Sequence, residues 1–148
     1  MVVALVVAVS MSGGAMDLTL VAGEGVAAPA PVVAELETAL AGAARRFEAR
    51  DVDGVLAYVS DQYRTGPFTK LIFREQLVAL YGLYGAVKTK IRIDEVRIVN
   101  GTAWVYSTGE VSGRLALGGT WMPLLSWRHE LEVARRETVG WRLYGYQR

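Results

Sequence analysis

The first half of the chain alternates hydrophobic and polar positions with the period of an α-helix. After Pro31, a favourable residue for a first helical turn, apolar side chains recur every three or four positions as far as Arg50. Asp51 can cap a second, shorter helix, and a third amphipathic helix is predicted over residues 69–84. The pattern therefore predicts three consecutive helices.

Beyond Gly85 the hydrophobic period changes to two, which is typical of a half-buried strand. Residues 87–93 alternate apolar side chains with Lys and Arg, and the apolar phase then shifts, so a β-bulge is expected near Asp94. Asn100-Gly101 predicts a hairpin turn. Further strands are predicted over residues 102–115, 121–135 and 141–146. The sequence thus indicates an α+β fold in which three N-terminal helices pack on a curved antiparallel sheet.

The N-terminal 31 residues have a different character from the rest of the chain. Residues 2–9 form a short apolar run followed by small residues, which is similar to the hydrophobic part and cleavage site of a secretory signal, although no basic residue precedes it. The run is much shorter than the roughly 20 residues that span a bilayer, so no permanent membrane anchor is expected. Pro29 and Pro31 are typical of a linker.

We therefore divide the chain into a signal-like leader and Ala/Pro linker, residues 1–31, and one folded domain, residues 32–148. The leader predicts an exported protein, periplasmic or secreted; without a working signal the protein would be cytoplasmic.

Composition restricts the chemistry further. With 52% hydrophobic and 21% charged residues, the chain should fold. It has no Cys and one His, which excludes disulfides, thiol nucleophiles and a His-rich zinc site, so no metal or cofactor is expected. The net charge of +1 gives no reason to expect nucleic acid as a partner.

The element order, the hinge at residues 50–53, the hairpin at residues 100–105 and the closing Gly-Trp-Arg-Leu at residues 140–143 resemble the nuclear transport factor 2-like superfamily. The resemblance covers roughly residues 32–148 and implies a cone of curved sheet wrapped around helices, with a ligand site inside. This superfamily includes ketosteroid isomerases, dehydratases, epoxide hydrolases, polyketide cyclases and many members without known catalysis, so the fold leaves the function open.

His129 is the candidate catalytic residue. If Leu131 and Val133 face the core, strand alternation places Trp127 and His129 on the same face, and the residues that face the other way are Arg128, Glu130 and Glu132. An imidazole transfers protons near neutral pH, so His129 in the cone could act as a general acid or base. The alternative is a structural, hydrogen-bonded His129.

Three further patterns do not match the enzymes of the superfamily. The loop after the second helix contains a single carboxylate, Asp61, at its start, and the first helix has no Tyr, so the isomerase pattern is absent. His129 has no second histidine, which the dehydratase pattern requires. Arg92 and Asp94 resemble part of an epoxide hydrolase site, but alternation favours a solvated ion pair. The basic side chains of Lys88, Lys90 and Arg92 likewise indicate an exposed strand.

Aromatic residues provide the remaining candidates. A cone lined by Trp and Tyr side chains could hold a small apolar molecule, and the expected pocket residues are Tyr63, Phe68, Tyr81, Tyr84, Trp127 and Trp141. Trp104 and Tyr106 alternate with the smaller Ala103 and Val105; if the smaller set faces the helices, the aromatic pair forms a homodimer surface.

Two hypotheses remain at this level. In the first, a cone-fold domain binds a small apolar molecule or a partner protein without catalysis. In the second, the cone performs lyase, isomerase or hydrolase chemistry with His129 as the acid or base and Tyr63 or Tyr81 as a donor.

Overall fold

The three helices form where the periodicity predicts them. The computed structural model describes residues 25–147, and the helices are α1 (Ala30–Glu48), α2 (Val52–Leu56) and α3 (Lys70–Leu83). Asp51 caps α2, because its Oδ1 accepts a hydrogen bond of 2.9 Å from the N–H of Gly54. Thr69 caps α3 by accepting from the N–H of Ile72 at 3.4 Å.

The strands form one antiparallel sheet and one small hairpin. The sheet has the order β1 (Val26–Ala27), β4 (Tyr84–Val99), β5 (Thr102–Leu115), β6 (Met122–Glu137) and β7 (Gly140–Leu143). The hairpin of β2 (Arg64–Thr65) and β3 (Phe68–Thr69) leads into α3. Asn100 and Gly101 have φ angles of 49° and 78°, as the predicted two-residue turn between β4 and β5 requires.

Strand β1 extends the domain beyond the start expected at residue 32. Val26 pairs with Ile98, Ala27 pairs with Arg97, and the N–H of Ala28 donates to the carbonyl of Val96 at 3.0 Å. Two residues are too few to show a strand period, and the prolines that indicate a linker follow β1. The remaining residues of the predicted leader lie outside the described part of the chain.

A β-bulge in β6 reverses the faces expected for its side chains. We call the side of the sheet that packs on the helices the inner face and the opposite side the outer face. The pairing shifts between Ser107 and Gly109 of β5, and His129 opposite has a φ of 47°. Before the bulge Trp127 is on the inner face; after it Glu130 is on the inner face, directly opposite Ser107.

The prediction that His129, Leu131 and Val133 share the inner face with Trp127 is therefore wrong. The extra residue restarts the alternation, so these three side chains lie on the outer face and Glu130 and Glu132 lie on the inner face. The bulge predicted in β4 is confirmed, between Ile93 and Glu95.

The inner face holds two hydrophobic clusters and the outer face a third. The first inner cluster joins all three helices to the sheet and includes Phe47, Leu77 and Trp127. The second packs α1 on the sheet through residues such as Leu36, Val105 and Ala134. The outer cluster consists of Val99, Trp104 and Val133, with Tyr106, Leu131, Tyr144 and Tyr146 packed against them.

None of the helices within residues 25–147 is long and apolar enough to cross a membrane.

Candidate functional site

Two carboxylates lie side by side on the inner face of β6. Glu130 is opposite Ser107 and Glu132 is opposite Val105, which belongs to the second inner cluster. Residues two apart on a strand point to the same face and are about 7 Å apart along it. Along β6 this interior acidic pair, Glu130 and Glu132, comes between Trp127 of the first cluster and Ala134 of the second. Acidic side chains thus occupy positions flanked by hydrophobic core.

The environment of the interior acidic pair disfavours charge on Glu130. Burial raises the pKa of the Glu130 carboxyl above its ordinary value, and the negative charge of Glu132 raises this pKa further. Both carboxylate oxygens of Glu132 are themselves buried. Two ionised carboxylates at this position would each lose solvation by water, and their negative charges would repel each other.

Tyr63 brings a phenol to the same region. It follows α2, is only 3% exposed and packs its ring on Phe73 at a centroid distance of 6.2 Å. Burial raises the pKa of Tyr63 to about 12; the Thr65 side chain opposes this shift and the charge of Glu132 adds to it. The Tyr63 hydroxyl is buried, with the Thr65 side chain as its hydrogen-bonding neighbour. It therefore stays protonated at neutral pH, as a donor near the Glu132 carboxylate.

Trp127 forms an apolar wall beside the pair. Its Nε1–H donates a hydrogen bond of 3.1 Å to the Oγ of Ser107, and both side chains are buried. Gly109 lies opposite Trp127, and a Cβ at residue 109 would approach the indole to 2.5 Å. The glycine therefore lets the indole lie close against β5.

The aromatic residues predicted to line a pocket are divided between different parts of the core. Tyr63, Tyr81 and Trp127 belong to the first inner cluster, with Tyr84 packed against it, whereas Trp141 belongs to the second. Phe68 is half-buried in β3 and lies outside all three clusters.

Hydrogen bonds fix two of these aromatic side chains in structural positions. The Tyr81 hydroxyl donates to the carbonyl of Phe47 at 2.8 Å, and the Trp141 Nε1–H donates to Glu35 Oε2 at 2.8 Å. The contacts above therefore bring two of the six predicted residues, Tyr63 and Trp127, to the interior acidic pair.

His129 lies outside the cone. Its side chain is 53% exposed, and its ring stacks on Tyr106 at 4.7 Å. Its Nδ1 is 3.7 Å from Asp94 Oδ2 and its Nε2 is 3.9 Å from Glu95 Oε2. Its backbone N–H donates to Thr108 Oγ1 at 3.1 Å. The hypothesis of His129 as the acid or base inside the cone therefore loses its geometric basis, because the bulge directs the imidazole to the outer face.

The outer face carries the remaining candidates. Ala103 and Val105 pack towards α1, as predicted, and Trp104 and Tyr106 lie on the outer face. Trp104 is only 8% exposed, since Tyr146 makes an edge contact with it at 6.1 Å. Its own chain covers most of its surface, and homodimer formation stays a prediction.

Arg92 and Asp94 form a pair at 3.0 Å on the outer face with the Arg92 side chain exposed. This is the solvated arrangement favoured for these residues.

Within residues 25–147, no three imidazole or carboxylate groups converge on a point where a metal ion could bind. The expectation that the cone uses no metal or cofactor stays a prediction.

Comparison with known proteins shows similarity in fold alone. No protein-family model matches the chain, and no curated protein matches it. Among solved structures, a ketosteroid isomerase-like protein from Erwinia carotovora atroseptica matches with a TM-score of 0.59 and 20% identity over 79% of this chain and 94% of its own. A candidate dehydratase of the nuclear transport factor 2-like family from Streptomyces avermitilis matches at 0.61 and 14% over the same shares.

A third structure, a candidate scytalone dehydratase from Novosphingobium aromaticivorans, has a TM-score of 0.63 and 10% identity over 75% of this chain and 78% of its own. The predicted resemblance is confirmed at the level of the fold, a nuclear transport factor 2-like cone of three helices on a five-stranded antiparallel sheet.

Proposed function

From this nuclear transport factor 2-like fold we propose that the inner face binds a small, mainly apolar molecule whose polar group contacts Glu130, Glu132 and Tyr63. The observation that carries the proposal is the interior acidic pair between two hydrophobic clusters. Carboxylates are costly to bury, and apolar side chains at residues 130 and 132 would extend the core from Trp127 to Ala134. Perturbed acids in such a position are candidates for a binding or reaction site.

The surroundings of the pair support a ligand with one polar end. Trp127 and the first inner cluster provide apolar contact, and Tyr63 provides a hydroxyl. The solved structures described as ketosteroid isomerase-like and as a candidate scytalone dehydratase favour a small, mainly apolar ligand.

The test uses the chain from residue 25 to 148 and nine small compounds. Each compound joins one of three apolar groups, benzyl, 2-naphthylmethyl or 1-adamantylmethyl, to one of three polar groups, an alcohol, an amine or a carboxylate. Quenching of tryptophan fluorescence and calorimetry measure binding. At least one compound should bind, and Tyr63→Phe should weaken its binding about tenfold, because the phenol loses its hydrogen-bonding group. The matched control is Tyr144→Phe, on the outer face. Failure of all nine compounds to bind, or equal loss in both variants, would contradict the proposal.

A second candidate function is acid–base catalysis of the lyase, isomerase or hydrolase type, with Glu130 in the role first assigned to His129. The raised pKa of Glu130 favours it, because an acid whose pKa moves towards neutrality can accept and return a proton. Tyr63, which stays protonated at neutral pH, would donate a hydrogen bond to the developing oxyanion.

Hydrogen–deuterium exchange at the carbon next to the carbonyl of 2-tetralone, followed by NMR, tests this function. Glu130→Gln should slow the enzymatic exchange by about 10²-fold or more, whereas His129→Ala should leave it unchanged. Exchange no faster than in buffer, or a loss in His129→Ala alone, would exclude Glu130 as the base.

A further inference from the structure

One end of the domain exposes a group of large apolar side chains. Leu117, in the turn between β5 and β6, is fully exposed, and Leu115 at the end of β5 is 48% exposed. Leu83, the last residue of α3, is 62% exposed and precedes Tyr84, which pairs with Leu115. We call Leu83, Leu115 and Leu117 the apolar tip. Large apolar side chains exposed together mark a surface that contacts another molecule or a membrane.

The turn that carries the tip directs Leu117 away from the sheet. The N–H of Gly118 donates to the carbonyl of Leu115 at 3.0 Å, and Gly118 and Gly119 have φ angles of 91° and 122°. Residues other than Gly rarely adopt these angles. Every residue from 114 to 120 is exposed, so no part of residues 25–147 covers the turn.

Positive charge surrounds the base of the apolar tip. The segments that form this end of the sheet, residues 76–93 and 111–129, contain no Asp or Glu, and their basic residues are Lys88, Lys90, Arg92, Arg114 and Arg128. Lys90 lies 3.6 Å from Glu110, and Arg92 pairs with Asp94. Lys88 and Arg114, the two cations nearest the tip, contact no carboxylate of residues 25–147. Their charges are therefore available to an anionic partner.

Trp121 lies between these two cations. Lys88 Nζ is 4.0 Å and Arg114 Cζ is 5.3 Å from the centroid of the indole ring. Trp121 directly precedes β6, so its indole is at the base of the apolar tip. Trp side chains favour the level of lipid headgroups, and Lys and Arg cover apolar surface with their methylene groups while the charge stays in water. Leucines, indole and cations thus follow one another as acyl chains and headgroups do at a bilayer surface.

We propose that the apolar tip inserts reversibly into the surface of a membrane that contains anionic lipids, with Trp121, Lys88 and Arg114 at the headgroups. The affinity of such a contact increases with the apolar area that is buried and with the attraction of basic side chains to anionic lipids. Charge complementarity favours lipid over a second copy of the chain. Two copies joined through this end would bring the cations of one against the cations of the other.

A fluorophore at the tip tests the proposal directly, because the chain has no Cys and one introduced cysteine is labelled alone. Leu117→Cys in the full chain carries nitrobenzoxadiazole, and the control carries it at Val139→Cys, in the exposed turn between β6 and β7. The vesicles are phosphatidylcholine alone or with about 30% phosphatidylglycerol. We expect emission at residue 117 to rise at least about twofold on anionic vesicles and much less on neutral ones, with no change at residue 139.

The role of the cations is tested in the same labelled protein. Arg114→Gln should weaken binding to anionic vesicles about fivefold, because it removes one basic side chain near the charged surface. Arg45→Gln removes an exposed charge from α1 and should change binding less than about twofold. The apolar run of residues 2–9 is the same in every variant, so the differences between variants report on the tip.

Each other outcome would overturn a stated part of the inference. A probe at residue 117 that responds to neither vesicle, or that responds no more than the probe at residue 139, would exclude insertion of the tip. Equal response to both vesicles, or equal binding after Arg114→Gln, would exclude recognition of anionic lipid. A response that grows with protein concentration in the absence of lipid would assign the tip to a second copy of the chain. The interior binding site is tested separately by the nine compounds.

Discussion

At residue 130 the protein keeps an ionisable side chain in surroundings that favour its neutral form. Because the folded-state pKa of Glu130 is raised, the folded protein holds this proton more tightly than the unfolded chain does. The contribution of Glu130 to stability is therefore greatest at low pH and decreases as the pH rises through the ordinary value of 4.5 towards the folded pKa. Glu130→Gln should consequently raise the melting temperature at pH 7 and have little effect near pH 4.

The comparison variant is Glu110→Gln, which changes the same functional group on the outer face. Melting curves for both variants and the unmodified protein at pH 4 and pH 7 provide the measurement. The contrary outcomes are a Glu130→Gln protein with a lower melting temperature than the unmodified protein at pH 7, or with the same change in melting temperature at both pH values. Either result would show that the fold compensates the charge of the Glu130 carboxylate. A stabilised variant that no longer binds ligand would show that Glu130 is kept for its function.

His129 makes a second residue-scale prediction, because its φ of 47° is rarely adopted by residues other than Gly. In a regular strand, Gly is less stable than Ala by about 0.5–1 kcal/mol. At the bulge the order should reverse, with His129→Gly more stable than His129→Ala by about 1 kcal/mol, since both variants lose the imidazole and differ only in backbone freedom.

Urea denaturation of this variant pair, and of Lys90→Gly and Lys90→Ala in the regular part of β4, measures the difference. The same order of stability at residues 90 and 129 would be inconsistent with the bulge and with the inward orientation of Glu130.

At the scale of the elements, β1 stabilises the edge of the sheet through backbone contacts. The N–H of Ala28 donates to Val96, and the side chain of Arg97 donates to the carbonyl of Gly25 at 2.8 Å. A protein that begins at residue 29, which lacks β1 but keeps all of α1, should therefore be less stable than one that begins at residue 25, by about 2–3 kcal/mol at roughly 1 kcal/mol for each hydrogen bond lost.

Urea denaturation of the two proteins tests this prediction. Val26→Ser is the control, since the Val26 side chain is exposed and its replacement keeps the backbone pairing. Equal midpoints for the two lengths would show that β1 adds nothing to the stability of the domain.

The helices and the hairpin could be predicted because each has a local cause. Asp51 caps α2 with its own side chain, and Asn100-Gly101 adopts the positive φ angles of a tight turn. The face of Glu130 could not be predicted in the same way. Leu131 and Val133 alternate with two glutamates as a half-buried strand requires, but their apolar partners are Trp104 and Tyr106 on the outer face.

One signal for the second bulge was present in the sequence. Trp127 and Ala134 are both buried on the inner face although they are seven positions apart, an odd number that uninterrupted alternation does not allow. A single sequence does not show where between Trp127 and Ala134 the alternation is interrupted. Tertiary packing on both faces of the sheet decides this.

At the scale of the whole molecule, the two faces of the sheet have different compositions. The inner face joins the helices and holds the interior acidic pair, whereas the outer face carries a second aromatic and aliphatic cluster. An outer cluster of this kind gives one small domain a second surface for association. The ligand site and an interface between subunits would then lie on opposite sides of the same strands.

We expect two copies of the protein to associate through the part of the outer cluster that its own chain leaves accessible. Trp104 is mostly covered, so the half-exposed Tyr106 and Leu131 should make most of the contact. Leu131→Arg should weaken dimerisation at least about tenfold, because it places a charge at the centre of an apolar interface. Val139→Arg introduces the same charge at an exposed apolar residue outside this cluster and serves as the control.

Sedimentation velocity between about 1 and 100 μM measures the association, a range in which specific dimers of this kind are detected. A dimer that dissociates in Leu131→Arg but not in Val139→Arg would assign the interface to the outer face. If the unmodified protein stays monomeric throughout, Tyr106 and Leu131 serve to hold the C-terminal Tyr144 and Tyr146 against the sheet, and Tyr106 also stacks on His129. Equal dissociation in both variants would place the contact elsewhere, because the added charge would then act independently of its position on the outer face.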